Sequence, residues 1–173
     1  MKLFEEICSI YFEEELLFFQ SFLDTETRIK LDSSEYFRIP VYQGEAMVLL
    51  MAWGRGAGTA IHDHGGVKGK VKILHGSIEE VRYSFKTREL TETCRRLHGP
   101  GEIIDVSNAD IHAITNKEQG YSLSLHVYDM TSESLSGVRI FDPRQRRVGV
   151  LNDKARRASW KENPSSFSSI VCF

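Results

Sequence analysis

Apolar and polar positions along this chain follow two rhythms. Over the first two dozen residues, Leu3, Phe4, Ile7, Ile10 and Tyr11 recur at steps of three and four, with Glu5 and Glu6 off that stripe. That spacing predicts an amphipathic helix. A denser apolar run over 16–23 predicts a second helix or a continuation, and Asp24 with Thr25 marks a stop or a restart. From Tyr36 onward the rhythm shortens. Short apolar runs at 37–42, 46–52, 59–62, 70–74, 77–85, 91–97, 102–106, 112–115, 122–128 and 137–141 predict strands. Gly44, Gly54, Gly65, Gly66, Gly76, Gly99 and Gly101, with Asn108 and Asp110, supply the turns between them. Many short strands between glycine-rich turns predict a sandwich or closed barrel, not a parallel sheet with crossover helices. The expected class is all-β with short N-terminal helices. The tail after Pro143 carries Arg144, Arg146, Arg147, Lys154, Arg156 and Arg157, and reads as a solvated, charged face.

The chain has 173 residues, enough for one domain with a real core but short for two. The expected organisation is a single domain over 1–173, with a helical segment at 1–24, a core at 36–141 and an extension at 142–173. Acid and base nearly balance at a net charge of -2, which gives no forecast of nucleic acid or a membrane surface as partner. No stretch approaches the roughly 20 apolar residues of a membrane span. The N-terminus turns acidic at once and lacks the apolar core of a signal peptide, so the expected location is cytoplasmic. Cys8, Cys94 and Cys172 are too few and too scattered for a disulfide framework or a zinc cluster, and read as free thiols.

His62, Asp63 and His64 form the most informative tripeptide. Side chains two apart on a strand point to one face, so both imidazoles project together. On the inner face of a β-barrel, two unpaired imidazoles are costly unless something satisfies them. A divalent metal does so, and neutral imidazole ligates iron, zinc, copper and nickel. Asp63 points the other way and reads as a structural hydrogen-bonding residue; Trp53 reads as core or cavity wall. His75 and His98 lie beside glycines in predicted turns and are expected to be exposed and without a role.

The surrounding spacing narrows the choice. Gly56, His62, His64, Gly69 and Gly76 are separated by five, one, four and six residues. That pattern resembles the first cupin motif, in which the position of Gly69 is normally a glutamate ligand. Gly101, Ser107, Ala109, His112 and Asn116 look like the second motif, with Ser107 and Ala109 replacing its usual proline and glycine. His112 then stands where that motif supplies the last ligand, and the resemblance implies a cupin jelly-roll β-barrel. A site of three neutral histidines without a carboxylate leaves a divalent charge uncompensated, which favours an anionic chelating substrate. A thiolate suits it, because metal coordination deprotonates a thiol. A zinc hydrolase site and an ordinary cupin site with one substituted ligand remain open on spacing alone.

Residues 53–64, WGRGAGTAIHDH, closely resemble the metal-binding strand of cysteine dioxygenases. So do residues 112–116, HAITN, and 122–128, SLSLHVY; Phe141 and Asp142 with the basic hairpin after them are similar to the family's ending. The resemblance implies Fe(II) held by His62, His64 and His112, and addition of both atoms of O2 to the sulfur of L-cysteine, giving cysteine sulfinic acid. It implies that Arg38 grips the substrate carboxylate with help from Tyr36. It makes Ser124, His126 and Tyr128 a hydrogen-bonded row whose tyrosine hydroxyl faces the iron ligands. Animal members join a cysteine to that tyrosine; Gly69 stands at the cysteine's position here, as in the uncrosslinked bacterial variety. Relatives that use 3-mercaptopropionate commonly carry glutamine where Arg38 stands, so the arginine points to cysteine. A dioxygenase for another small mercapto acid, and a metal-binding cupin of another activity, are the alternatives. The expected partners are a small thiol and O2, and the expected state is a monomer or small homo-oligomer.

Overall fold

The computed structural model describes residues 2–107 and 109–173, apart from the side chains of Lys2 and Ile29. Asn108 of the predicted turn lies outside the described residues. Three short helices come first: α1 (Lys2–Glu13), α2 (Leu16–Gln20) and α3 (Thr25–Lys30). Asp24 is a restart, since its carboxylate caps α3 by accepting from the Thr27 amide at 2.7 Å. The face that α1 buries is rotated from the expected one. Ile7 and Cys8 are buried with Phe4, Tyr11 and Phe12 packed beside them, whereas Leu3 and Ile10 are exposed.

Twelve strands follow among the described residues: β1 (Tyr36–Gln43), β2 (Met47–Trp53), β3 (Ile61–His62), β4 (Gly69–His75), β5 (Ile78–Lys86), β6 (Glu89–His98), β7 (Ile103–Val106), β8 (Ile111–Asn116), β9 (Ser122–Tyr128), β10 (Arg139–Asp142), β11 (Arg147–Leu151) and β12 (Phe167–Cys172). They make two antiparallel sheets, of order β1-β2-β9-β4-β7 and β12-β11-β10-β3-β8-β5-β6. The sheets pack as a jelly roll and do not close through one continuous hydrogen-bonded ladder.

The strand β2 shows how the sequence builds the layers. All seven of its residues are buried, because both faces of the five-stranded sheet are covered. Met47, Leu49, Met51 and Trp53 point between the sheets, packing with Val71, Ile73, Ile78 and Ile114. Val48, Leu50 and Ala52 point outward and are covered by the N-terminal segment through Ile7 and Phe19 of the helices and Leu23 and Leu31 beside them. Lys70 and Lys72 alternate with Val71 and Ile73 on β4 and help to hold α1: Lys70 pairs with Glu5 at 3.1 Å, and Lys72 donates to the Phe12 carbonyl.

The tail corrects the expectation of a simple solvated face. Arg144, Arg146, Lys154 and Arg156 are exposed, but β11 and β12 continue the seven-stranded sheet. The Arg147 guanidinium lies 4.1 Å from the centre of the Trp160 ring, a cation–π contact, and Arg157 pairs with Glu35 at 3.3 Å. Charge density along the tail hid two strands, the second of which has no fully buried position. No helix among the described residues is long and apolar enough to cross a membrane.

Candidate metal centre and substrate cavity

Between the sheets lies a cavity of about 260 Å³ with a mainly apolar wall. His62, His64 and His112 line it on the side of the seven-stranded sheet. His62 and His112 are register partners on β3 and β8, and so stand side by side. His64 departs from the sequence expectation, because β3 ends at His62. Its place is fixed instead by Asp63. That carboxylate accepts from the Gly65 amide at 3.2 Å, the Arg139 amide at 2.8 Å and Arg139 Nε at 2.5 Å, tying the turn to β10. Gly65 and Gly66 both take positive φ, which lets the chain turn away immediately after His64.

The three imidazoles converge. Each offers one nitrogen, and these atoms lie within 4.8 Å of one another. The ring centres are 4.7–5.3 Å apart. Burial, and then the neighbouring His112, push the His62 imidazole down to about 3. Burial, with His112 and His62 next, pushes His64 down to about 2. Both are therefore neutral at pH 7, with a lone pair that could ligate a metal. His62 Nδ1 lies 3.0 Å from the Ala60 carbonyl, and His112 Nδ1 lies 2.8 Å from Glu80 Oε1. With Nδ1 as the N–H in each, Nε2 carries the lone pair that faces the cluster. Buried His64 Nδ1 has no hydrogen-bond partner among the described residues. Three buried imidazoles with convergent nitrogens fit a divalent transition metal.

Glu80 is a feature that the sequence reading missed. It is buried on β5, holding His112 on one oxygen; its other oxygen lies 3.3 Å from His98 Nε2 and 3.1 Å from Arg82 Nε. Burial raises its carboxyl, but the hydrogen bonds from His112 and Arg82 outweigh that and hold it down at about 2. His98 is therefore buried behind the centre, not exposed as expected; His75 is half-buried against Tyr121 and does not line the cavity. A usable signal was present: Ile78, Glu80 and Arg82 share one phase of a strand, and a carboxylate in an inward phase needs a partner. Glu80→Ala is expected to weaken metal binding about ten- to a hundredfold in a chelator competition titration. Glu80→Gln, which can still accept from His112, is expected to recover most of it.

The five-stranded sheet supplies the facing wall. Ser124, His126 and Tyr128 follow one another on the inner face of β9. Ser124 Oγ lies 2.9 Å from His126 Nε2, and His126 Nδ1 lies 3.0 Å from the Tyr128 hydroxyl. His126 and Tyr128 line the cavity, while Ser124 sits behind them. Burial pushes Tyr128 up to about 12, so its hydroxyl is protonated at neutral pH. Gly69 is the register partner of Tyr128, and a Cβ there would lie 2.6 Å from the tyrosine ring. Position 69 thus faces the ring directly, and glycine leaves the tyrosine free of any link.

Arg38 and Tyr36 on β1 also line the cavity. Arg38 Nη2 donates to the Glu133 carbonyl at 2.9 Å, and Nη1 to the Arg156 carbonyl at 3.3 Å. Two of five guanidinium N–H groups are so used, leaving three for a ligand. Tyr36 is buried and accepts from the Ala158 amide at 2.7 Å, which leaves its own proton to donate. Met51, Met130 and Leu135 complete the apolar part of the wall. These were not legible from the sequence, since each reads as ordinary core or loop.

The sequence profile of the cysteine dioxygenase type I family matches residues 22–144. The chain belongs to that family. Cysteine dioxygenase type 1 of Homo sapiens is 26% identical over 106 residues, covering 57% of this chain and 53% of the human protein. That of Rattus norvegicus gives the same identity and coverage. The chain thus spans about half the length of the curated relatives it matches. Among solved structures, a sugar phosphate isomerase of the cupin superfamily from Silicibacter pomeroyi superposes with a TM-score of 0.51 at 12% identity. It covers 84% of this chain and 81% of its own, and supports the cupin fold alone.

Proposed function

We propose that this member of the cysteine dioxygenase type I family is an Fe(II)-dependent dioxygenase of L-cysteine that forms cysteine sulfinic acid. The observation that carries this reading is the pairing of two walls in one cavity: three convergent imidazoles on one, Arg38 and a hydroxyl-bearing row on the other. Iron, when bound, supplies the centre at which a thiol ionises and O2 is reduced. The reaction closes without a further reductant, since a thiol and O2 together contain every atom and electron of a sulfinic acid.

The chain's own groups account for binding and orientation. His62, His64 and His112 bring no negative charge, so an anionic substrate supplies the compensation. Arg38 has free N–H groups for a carboxylate, and its two backbone contacts restrain it before substrate arrives. Tyr36 offers a second donor in the same cavity. Tyr128 presents a protonated hydroxyl that can hydrogen-bond an anionic atom near the histidines. The apolar wall limits water, which strengthens these contacts.

The test is oxygen uptake by the iron-loaded protein with L-cysteine, with sulfinate quantified. Stoichiometric sulfinate supports the reading; iron-loaded protein giving neither oxygen uptake nor sulfinate with any small thiol overturns it. Relative kcat/KM for cysteine and 3-mercaptopropionate assigns the substrate, with cysteine expected to be favoured. Arg38→Ala is expected to raise KM for cysteine about tenfold or more, the scale of a lost charged hydrogen bond, with a smaller change in kcat.

A further inference from the structure

We infer that the indole of Trp53 sets the direction of hydrogen bonding along Ser124, His126 and Tyr128, leaving the tyrosine proton free for the cavity. Trp53 Nε1 donates to Ser124 Oγ at 2.9 Å. An indole N–H can only donate, so the serine oxygen must accept there. Ser124 is fully buried, and its only other hydrogen-bond partner among the described residues is His126 Nε2. His126 is also buried, and no carboxylate or backbone carbonyl among the described residues bonds to its ring. A neutral imidazole there has one N–H and one lone pair.

Two orders are then possible. In the first, Ser124 donates to His126 Nε2, and His126 Nδ1–H donates to the Tyr128 oxygen. In the second, Tyr128 donates to Nδ1, and Nε2–H donates to Ser124. The second makes Ser124 accept twice, from Trp53 and from His126, and strands the serine proton in a fully buried site. An unmade buried hydrogen bond of that kind favours the first order by about tenfold or more. The indole is itself fixed: its ring stacks on Tyr36 with centres 5.0 Å apart, and its backbone carbonyl accepts from Asn116 Nδ2 at 3.1 Å.

In the favoured order, Tyr128 accepts from His126 at 3.0 Å and does not spend its own proton on the row. That proton can turn into the cavity shared with His64 and Arg38. Trp53 is then a positioning residue, acting on the reacting groups through three others. The direction of the row stands on the contacts alone; its use toward a thiol or an oxygen atom rests on the proposed dioxygenase activity.

The experiment uses metal-free protein with ¹⁵N-labelled histidine, which separates the inference from activity. Long-range ¹⁵N–¹H correlation spectra are expected to show His126 as the Nδ1–H tautomer, assigned by the loss of its signals in His126→Gln. A dominant Nε2–H tautomer overturns the inference. Trp53→Phe keeps a ring and removes the donor, and is expected to raise the Nε2–H population from below about a tenth to a comparable share. An unchanged tautomer balance in folded Trp53→Phe overturns the role of the indole. Should that variant not fold, Ser124→Ala serves: with the serine proton gone, the Nδ1–H preference should fall in the same spectra, and its persistence counts against the inference. A protein with the expected tautomer but no thiol-dependent oxygen uptake keeps this inference and loses the proposed activity.

Discussion

Alanine at His64 is expected to cut metal affinity by roughly a hundredfold or more and to take thiol-dependent oxygen uptake below detection, while the chain stays folded. His64 is the best of the three histidines for this test. Replacing His62 removes a partner of the Ala60 carbonyl, and replacing His112 deprives buried Glu80 of a donor. Both changes mix loss of metal with structural damage. His64 Nδ1 has no such partner, and the side chain borders an existing cavity. Truncation there widens a space already present. The metal-free variant is expected to melt no lower than metal-free wild type near pH 6, because it loses an imidazole that the fold holds neutral against its ordinary tendency. Chelator competition and thermal melts read the two effects separately. A variant that keeps wild-type affinity would remove His64 from the ligand set.

Acid is expected to unfold the metal-free protein well above the pH at which carboxylates titrate. Burial and neighbouring imidazoles hold His62 and His126 down at about 3 and His64 at about 2 in the folded chain. In the unfolded chain the ordinary value is about 6.5. The sign follows from these two states. Above about pH 6.5 both are neutral and the groups are indifferent; below it the unfolded chain takes up protons that the folded chain refuses. Stability therefore falls with pH from about 6.5 toward about 3, by up to about 1.4 kcal/mol per pH unit for each imidazole. At pH 5 the three together remove at most roughly 6 kcal/mol, comparable with the whole stability of a typical domain. Glu80, held at about 2, adds loss in the same direction at lower pH. Far-ultraviolet circular dichroism from pH 7 to 4 should show a cooperative loss, shifted to lower pH by a saturating divalent metal. Equal stability of the metal-free protein at pH 7 and pH 4.5 would contradict it.

Legibility in the sequence followed physical period. The inward and outward phases of β9 were readable because Ser124, His126 and Tyr128 repeat every second residue among Leu123, Leu125 and Val127. His62 and His112 were readable because motif spacing places them on neighbouring strands. His64 was found for a partly different reason from the one expected, since the strand stops short and Asp63 completes the placement. Glu80 and His98 escaped because their meaning lies in strand pairing across the sheet, which local pattern does not carry. The strands β11 and β12 escaped because they lie in a tail dense in arginines, and β12 has no fully buried position to set an apolar phase. Only the family resemblance pointed to Arg38 before its place in the cavity was known; its backbone partners at Glu133 and Arg156 lie 95 and 118 residues away.

The two walls of the cavity belong to different sheets, with the imidazoles on one and the arginine and hydroxyl row on the other. No covalent strut crosses between Gly69 and Tyr128 to tie the row to its neighbouring strand. The gap between the imidazoles and the facing Arg38 and Tyr128 is consequently gauged by the thickness of the filling around Leu49, Met51, Ile73 and Ile114. Such a filling can be thinned or padded one methylene at a time without touching any polar group. The inner residues of β2 are therefore the shims of this cavity, and evolution or an engineer could retune its reach from there.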